Sequence, residues 1–371
     1  MKAFSTTQSD LQLKLKRIYD FLEEQHFDSL LLQRKDNFAW LTSGGYNGIP
    51  YNSMTGECGL LITKDNVFLL ANTIEKPRIM AEEMIGLSYE VIDYPWYQSI
   101  EEAMEKVPVV HRLASDTGLK ALDHQVVNIA PLRFSLTTPE VKRIRNLGFK
   151  ATAITEKFCQ GLKPGMTEME IAGKLNSQFM DAGLTPTVAL VAADERIANY
   201  RHPVPTMKPF YQKCMVISCV QEKGLTVALT RIVHVGKVEQ SLQSIHEKTA
   251  WIDAQLIFNT KRGVRAEQLL HTLKRAYAEA GFKDEWLLHH QGGAIGYENR
   301  DFLLTPASSF EVEPFQAFAW NPSITGTKSE DTILVEGSRS EIITTADSLW
   351  PMLQFESPTG EIVKRPAIYE I

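Results

Sequence analysis

Three histidines and one glutamate are the residues of this chain whose types best suit acid and base chemistry. His202 lies in the segment NYRHPVPT, His289 and His290 are adjacent, and Glu330 lies in SEDTILV. Imidazole titrates close to neutral pH, so a histidine can both accept and return a proton during a reaction. From its position between Arg201 and Pro203 alone, however, His202 is more typical of a solvated loop.

Alternation along a strand limits how many of these side chains can share one site. Successive side chains point to opposite faces of a sheet, so His289 and His290 would diverge if they lie on a strand. We then expect at most one of them in a given site, the other reading being a hydrogen-bonded structural histidine. The same alternation separates Glu330 from Asp331, whose carboxylate we expect to face the scaffold.

A charged pair, Arg300–Asp301, follows the glycine-rich string GGAIG. Such a pair is typical of a structural ion pair. The arginine could instead bind a substrate carboxylate, because a guanidinium matches a carboxylate with two parallel hydrogen bonds. Both interpretations stay open at the level of the residues.

Composition narrows the classes of protein that the chain can belong to. Its 371 residues, 44% hydrophobic and 23% charged, are enough for two packed domains. A net charge of −6 with interspersed signs argues against a nucleic-acid partner. No segment reaches the roughly 20 apolar residues of a membrane span, and no secretory signal is present, so we expect a cytoplasmic protein without a membrane contact. The four scattered cysteines indicate neither a disulfide framework nor a zinc knuckle.

The first part of the chain alternates helix and strand signals. A helix is predicted at about 10–25 and strands at 29–32, 59–63 and 67–71, which together indicate an α/β domain. The string NFAWLTSGG, residues 37–45, predicts a strand that runs into a glycine-rich bend. A long amphipathic helix is predicted to begin near Pro139. We therefore place domains at 1–136 and 137–345, with a C-terminal extension at 346–371.

Two segments of the second domain repeat each other. Gly165-Met166 precedes a helix that ends at AlaGlyLeu, and Gly263-Val264 precedes a helix that ends at AlaGlyPhe. In both segments the second glycine follows the first by 18 residues. Any two amphipathic helices with glycine caps share some of this pattern, but matching glycines at both ends favour an internal duplication with a pocket at the seam between the halves.

Several motifs in order resemble the creatinase/Xaa-Pro aminopeptidase family. They are NFAWLTSGG, GLKPGMTEMEIA (161–172), TRIVHVG (230–236), GGAIG (292–296) and SEDTILV (329–335). The resemblance implies an α+β fold: an N-terminal creatinase-like α/β domain followed by a C-terminal pita-bread domain with pseudo-twofold duplicated halves. It also implies a homodimer.

The resemblance implies that the two-metal centre of the family's peptidases is missing here. Those members hold two divalent ions with five side chains, and carboxylates are the ligands such ions prefer. The motifs align these five positions with Ile217, Ala228, Gly293, Asn321 and Glu330. Only Glu330 is a carboxylate, so we expect no bound metal and no cofactor.

The resemblance also implies roles for the residual polar residues. His202 matches a histidine that acts as general acid and base in metal-free members, and His289 matches a non-ligand histidine. Glu330 would orient the substrate or its cationic nitrogen, and its pKa is expected to rise by desolvation. His290, Arg300, Asp301 and Asn321 are expected to contact the substrate.

Two classes of function follow. The first is a metal-independent, creatinase-like hydrolase of a C–N bond in a small amide or amidine-type substrate. The second is a non-catalytic relative that binds a ligand or a protein partner, because a fold does not guarantee an activity. An ordinary Xaa-Pro peptidase would require ligands other than those the motifs align.

Overall fold

The computed structural model describes residues 2–107 and 111–371, with side chains from residue 8 onward, and these form two compact units. The first unit extends to Arg133 and includes Thr137–Glu140 and Lys223–Leu225. The second contains the remaining described residues. Each unit is built around its own sheets.

The helices are α1 (Lys2–Glu24), α2 (Lys35–Leu41), α3 (Lys76–Arg78), α4 (Ile100–Met104), α5 (Thr138–Gln160), α6 (Glu168–Asp181), α7 (Arg196–Asn199), α8 (Gln240–Asn259) and α9 (Ala266–Glu279). Short 3-10 helices lie at Ala130–Arg133 and Glu285–Leu288, and a π-helical turn at Ile79–Glu83. Among the helices of the described residues, none combines the length and the apolar composition that crossing a bilayer requires.

The strands of the first unit are β1 (Ser29–Arg34), β2 (Thr55–Thr63), β3 (Val67–Asn72), β4 (Glu90–Tyr94), β5 (Leu113–Ser115) and β6 (Gln125–Val126). Those of the second unit are β7 (Thr185–Ala193), β8 (Lys213–Glu222), β9 (Leu225–His234), β10 (Gly292–Ile295), β11 (Phe302–Leu303), β12 (Ala317–Trp320), β13 (Ser323–Ile324), β14 (Thr327–Lys328), β15 (Asp331–Val335), β16 (Ser340–Ile342), β17 (Met352–Glu356), β18 (Ile362–Pro366) and β19 (Tyr369–Glu370). The bounds of β9 include Leu225, which groups with the first unit.

A mixed sheet in the order β4-β3-β2-β1-β5-β6 forms the centre of the first unit. Strands β1, β2 and β3 pair antiparallel, whereas β1–β5 and β3–β4 pair in parallel. Apolar side chains of one face, Leu31, Leu61 and Leu70 among them, pack with Ala103 and Met104 of α4. The strands predicted at 29–32, 59–63 and 67–71 are confirmed as β1, β2 and β3.

The predicted strand at the start of NFAWLTSGG is wrong, because Lys35–Leu41 forms helix α2. A short apolar run cannot distinguish a buried strand from a buried helix by its pattern. Tertiary contacts decide the conformation: Phe38 and Trp40 are fully buried, and the Asn37 side chain donates to Asp116 at 2.9 Å. The glycine-rich bend is present, and Gly44 adopts a positive φ of 118° there.

The duplicated helices of the second unit, α6 and α9, match in length and in their flanking contacts. Each has 14 residues and lies between two glycines with positive φ. Gly165 N donates to Phe210 O at 2.8 Å, and Gly263 N donates to Val312 O at 2.9 Å. One isolated β-bridge precedes each helix, at Thr167–Pro209 and Arg265–Glu311. A long helix precedes each copy, α5 or α8, and a strand follows it, β7 or β10.

The two halves of the second unit belong to different sheets. Strands β7, β8 and β9 of the first half and the C-terminal strand β19 form the order β19-β9-β8-β7, and the second half forms β11-β10-β12-β15-β16. Helices α8 and α9 cover the second sheet, where residues such as Ile257, Leu273 and Trp320 are buried together. The C-terminal residues fold onto this unit as the hairpin β17–β18 and the strand β19. The polar residues singled out above flank these strands: His202 lies in the connection between β7 and β8, His289 and His290 lie before β10, and Glu330 lies directly before β15.

Candidate active site

A cluster of three imidazoles is the central feature of the site. Nε2 of His202 and Nε2 of His289 are 3.2 Å apart, and the rings of His289 and His290 have centroids 4.5 Å apart. One possible ligand atom from each of the three side chains lies within 4.8 Å of the others. His289 is buried and His202 is exposed, so the cluster extends from the protein interior to solvent.

The adjacent residues His289 and His290 follow the 3-10 helix at Glu285–Leu288 and precede strand β10. His289 has extended backbone angles (φ −155°, ψ 148°), but it is not part of a ladder of strands. The side chain of Gln291 holds the backbone of this pair in place. It donates to the carbonyl of His289 and accepts from the Tyr277 hydroxyl at 2.6 Å. Tyr277 is fully buried in α9, so the duplicated helix anchors the histidines.

Both adjacent histidines therefore lie at the same cluster, and the expected divergence of their side chains is wrong. Alternation applies to residues within a pleated ladder, and this pair lies in an irregular segment just before one. The ring of His202 is 5.0 Å from that of His289 and 5.3 Å from that of His290, centroid to centroid. His202 thus contacts both.

An ion pair fixes the loop that carries His202. Arg201 donates to Glu285 at 2.6 Å, and Glu285 also accepts from the backbone and hydroxyl of Thr325. Glu285 opens the 3-10 helix that leads to His289. Arg201, the neighbour of His202, is therefore bound directly to the segment that carries His289 and His290.

Glu330 lies in a buried charge cluster beside the histidines. Its carboxylate accepts from Lys328 at 2.8 Å, from Arg300 at 2.9 Å and from the Thr230 hydroxyl at 2.7 Å. Both Lys328 and Glu330 are almost fully buried. One carboxylate facing two cations leaves this cluster with a formal charge of +1.

The expected rise in the pKa of Glu330 is wrong in sign. Burial alone would raise this pKa, but the charges of Lys328 and Arg300 and the hydrogen bonds outweigh it and hold the pKa at about 2. Glu330 is therefore ionised throughout the physiological range. Its oxygens are already bound to cations of the protein, which argues against the role of orienting a cationic nitrogen.

The histidines respond to burial and to the same charges. Burial, then the charge of Lys328, lowers the pKa of His289 to about 2, and burial, then the charge of Arg300, lowers the pKa of His290 to about 4. The pKa of His202 is also lowered, by burial of part of its ring and then by Lys328, while Glu330 opposes the shift. All three imidazoles are expected to be neutral at pH 7.

The remaining residues predicted for the site differ in their contacts. Arg300 pairs with Glu330 and with the Asn299 carbonyl, and its buried Nε has no hydrogen-bond partner in the described part of the chain. The Asp301 carboxylate lies beside Gly296. Asn321 is buried directly after β12, and its Oδ1 has no partner among the described residues.

Asp331 faces the scaffold, as alternation along the strand predicts. It bonds Arg231 at 3.0 Å and Arg365 at 2.9 Å, and all three side chains are buried. Cys219, a possible nucleophile by residue type, is buried as well, and burial raises the pKa of its thiol to about 11. A thiol in that state is not a nucleophile at neutral pH.

Comparison with known proteins assigns the family. Residues 142–337 match Metallopeptidase family M24, and residues 14–175 match the Creatinase/Prolidase N-terminal domain. The chain belongs to metallopeptidase family M24. It is 21% identical to an Xaa-Pro dipeptidase of Pyrococcus horikoshii over 349 residues, which are 89% of this chain and 96% of that protein. An Xaa-Pro dipeptidase of Lactobacillus helveticus is also 21% identical, over 86% of this chain and 93% of that protein.

Solved structures in the family share the fold. An Xaa-Pro dipeptidase from Bacillus anthracis superposes with a TM-score of 0.78 at 20% identity, covering 97% of this chain and all of that chain. The predicted fold class is therefore confirmed: a creatinase-type N-terminal domain and a pita-bread domain with duplicated halves. At this level of identity, the likeness extends to the fold alone.

The two-metal centre that the family name implies does not fit the residues at the five predicted ligand positions. Ile217 packs in an apolar cluster with Met215 and Ile232. A Cβ at Gly293 would lie 2.0 Å from the carbonyl oxygen of Phe302. Glu330, the one carboxylate of the set, is bound to two cations of the protein.

Lys328 is a member of the polar cluster that was not recognised from the sequence. Lys328 precedes Glu330 by two residues, and this spacing places two side chains on the same face of an extended segment. That signal could have paired the two charges. Ser323, whose Oγ lies 3.3 Å from Nδ1 of His289, carried no comparable signal, because the two-residue strand β13 that holds it is too short to show a pattern.

Proposed function

We propose that this chain is a hydrolase that cleaves a C–N bond in a small amide or amidine-type substrate without a two-metal centre. The observation that carries this proposal is the 3.2 Å contact between the imidazoles of His202 and His289 at the edge of a buried, positively charged cluster. A proton carrier that is oriented by a second group is the usual arrangement for general acid and base catalysis.

The contact between the two imidazoles restricts their tautomers. If His289 donates from Nδ1 to Ser323 Oγ, its Nε2 accepts from the Nε2–H of His202. Nδ1 of His202 then has a free lone pair, and the lowered pKa keeps that ring unprotonated before the reaction. In this arrangement Ser323 and His289 position the base.

The proposed reaction uses one proton carrier in two steps. Nδ1 of His202 takes a proton from water as the water oxygen forms a bond to the substrate carbon. The C–N bond then breaks, and the imidazolium returns the proton to the leaving nitrogen. Atoms and charges balance without another reactant, and each proton transfer involves the same imidazole.

The charge of the neighbouring cluster favours an anionic group on the substrate. Arg300 has a buried Nε–H without a partner in the described residues, and the Lys328–Glu330–Arg300 set retains one positive charge. We propose that this set binds a substrate carboxylate or stabilises a developing oxyanion. Asn321 offers a buried carbonyl oxygen for a donor of the substrate.

Depletion of compounds from a metabolite mixture tests the proposed activity. Purified protein should consume at least one small amide or amidine that carries a carboxylate. His202→Ala should lower the rate about 10²–10⁴-fold, the usual contribution of a general acid or base. His271→Ala, which removes an exposed histidine of α9, is the matched control and should retain full activity.

Three outcomes would count against the proposal. Full turnover in His202→Ala would remove the mechanism. Stabilisation of the protein by a compound that it never consumes would favour the non-catalytic alternative. A rate that depends on added manganese or cobalt, with cleavage of Xaa-Pro dipeptides, would instead indicate a peptidase like the relatives named above.

A further inference from the structure

We propose that His202, His289 and His290 form a site for one divalent transition-metal ion, such as Zn²⁺, and that this ion inhibits the proposed reaction. The site is separate in its ligands from the two-metal centre discussed above, because none of the three histidines occupies one of those five positions. The inhibitory part rests on the proposed function, whereas the binding part does not.

The distances in the cluster suit three imidazole ligands on one ion. Zinc–nitrogen bonds of about 2.0–2.1 Å at tetrahedral angles separate two ligand nitrogens by about 3.3 Å. The Nε2 atoms of His202 and His289 are already 3.2 Å apart. Because the whole group spans no more than 4.8 Å, a small rotation of the side chains would bring the third nitrogen into range.

One nitrogen of the cluster is buried without a bond. Nδ1 of His290 has no hydrogen-bond partner among residues 2–107 and 111–371, although buried polar atoms are normally paired. A metal ion bound to the imidazole of His290 would give this side chain a polar partner. The orphaned atom therefore points to a ligand that completes the cluster.

The surroundings of His289 resemble those of metal-bound histidines in general. Its Nδ1 contacts Ser323 Oγ at 3.3 Å while Nε2 faces His202. A ligating histidine usually holds its second nitrogen in a hydrogen bond, which fixes the ring and the tautomer. Imidazole ligands suit zinc, copper, nickel and cobalt, whereas magnesium and calcium prefer oxygen.

The fourth position of a three-histidine site is left for an anion or water. The neighbouring set of Lys328, Glu330 and Arg300 carries one positive charge, which disfavours a bare cation but favours an anion bound to it. Hydroxide, chloride or a carboxylate would meet this requirement. The exposure of His202 gives the ion a route from solvent.

Metal binding and proton transfer compete for the same side chain. A metal bound to His202 breaks its contact with His289 and alters the tautomer on which the proposed base depends. The ion would therefore block the proton transfer and lower turnover. The inhibition should be relieved by a chelator.

Titration with Co²⁺ and Zn²⁺ tests the site directly. Chelator-treated protein should bind one ion per chain, with the visible absorption spectrum of four-coordinate cobalt. His202→Asn and His290→Asn should weaken binding more than 100-fold, and Ser323→Ala should weaken it about 10–100-fold, as loss of an outer hydrogen bond to a ligand does. His271→Ala should bind as the wild type does.

Far-ultraviolet circular dichroism of each variant checks that it is folded, and His202→Asn is the decisive variant because its side chain is exposed. The metal site is rejected if wild-type protein binds no ion, or if both ligand variants bind as tightly as the wild type. If the ion binds but leaves turnover of an identified substrate unchanged, the inhibitory role is rejected. If no substrate is found, the binding result still decides the metal site.

Discussion

Individual residues of the site show that charge balance, not burial alone, sets their chemistry. Glu330 is buried, yet its pKa is about 2, because two cations and a hydroxyl bind its oxygens. The sequence showed a carboxylate in a pocket that lacks metal, and from that we expected a raised pKa. The charge of Lys328, only two residues from Glu330, contributes to reversing the expected direction of this pKa shift.

Neutralising Glu330 should strongly destabilise the protein. Glu330→Gln leaves Lys328 and Arg300 without their shared counter-ion, and breaking a buried ion pair costs about 3–5 kcal/mol. Urea unfolding of the variant measures this loss. The double variant Lys328→Met/Glu330→Gln should lose less than the sum of the two single changes, because the two sites are in contact. A change below about 0.5 kcal/mol in Glu330→Gln would contradict the described cluster.

Helices and strands were predictable where a periodic pattern was long, and less so where it was short. The helix that begins near Pro139 is confirmed as α5, and the repeated glycines at 165 and 263 correctly indicated the matched helices α6 and α9. The apolar residues after Asn37 gave the wrong element, since four residues do not establish a period. Likewise, the side chains of His289 and His290 were expected to point apart on the assumption that both residues lie in a strand. The strand, β10, begins only after them.

His246 in helix α8 should make the protein less stable in mild acid. Its Nδ1 contacts the Thr327 hydroxyl at 2.7 Å and its Nε2 the Pro366 carbonyl at 2.9 Å, and burial lowers its pKa to about 4. An unfolded histidine titrates at about 6.5. Between these values the unfolded state binds more protons, so the free energy of unfolding falls as the pH falls from about 6.5 toward 4 and is insensitive to this group at higher pH.

Unfolding in urea at pH 7, 6 and 5 measures this effect. The single proton of His246 contributes a slope of at most about 1.4 kcal/mol per pH unit. His246→Asn should show a shallower decline than the wild type by up to that amount. Parallel declines for the two proteins would show that His246 titrates alike in the folded and unfolded states.

At the scale of the whole molecule, the family and the fold class were predictable because the motifs occur in order along most of the chain. The site was predictable only in part: the sequence brought His202, His289 and Glu330 into one hypothesis, but their contacts depend on loops. The sequence of those loops has no periodic pattern, and their conformation is determined by contacts such as the ion pair between Arg201 and Glu285. The domain bounds 1–136, 137–345 and 346–371, and the absence of a cofactor, remain predictions.

The assembly state also remains a prediction. The resemblance to the family implies a homodimer, so light scattering during gel filtration should give twice the chain mass of 41.9 kDa. The mass should stay constant on tenfold dilution if the dimer is stable. A mass of one chain at all concentrations would contradict the prediction.

The last residues of the chain cover the edge of strand β9. Strand β19 pairs in parallel with β9 at Tyr369–Val233 and Glu370–His234, and it forms the edge of that sheet. Strand β9 is buried along its whole length. Without β19, its unpaired amides and carbonyls could join the strand of another molecule. A chain that stops at Pro366 should therefore accumulate in the insoluble fraction of expressing cells while the full chain stays in the supernatant, and equal partition of the two would show that β9 needs no such cover.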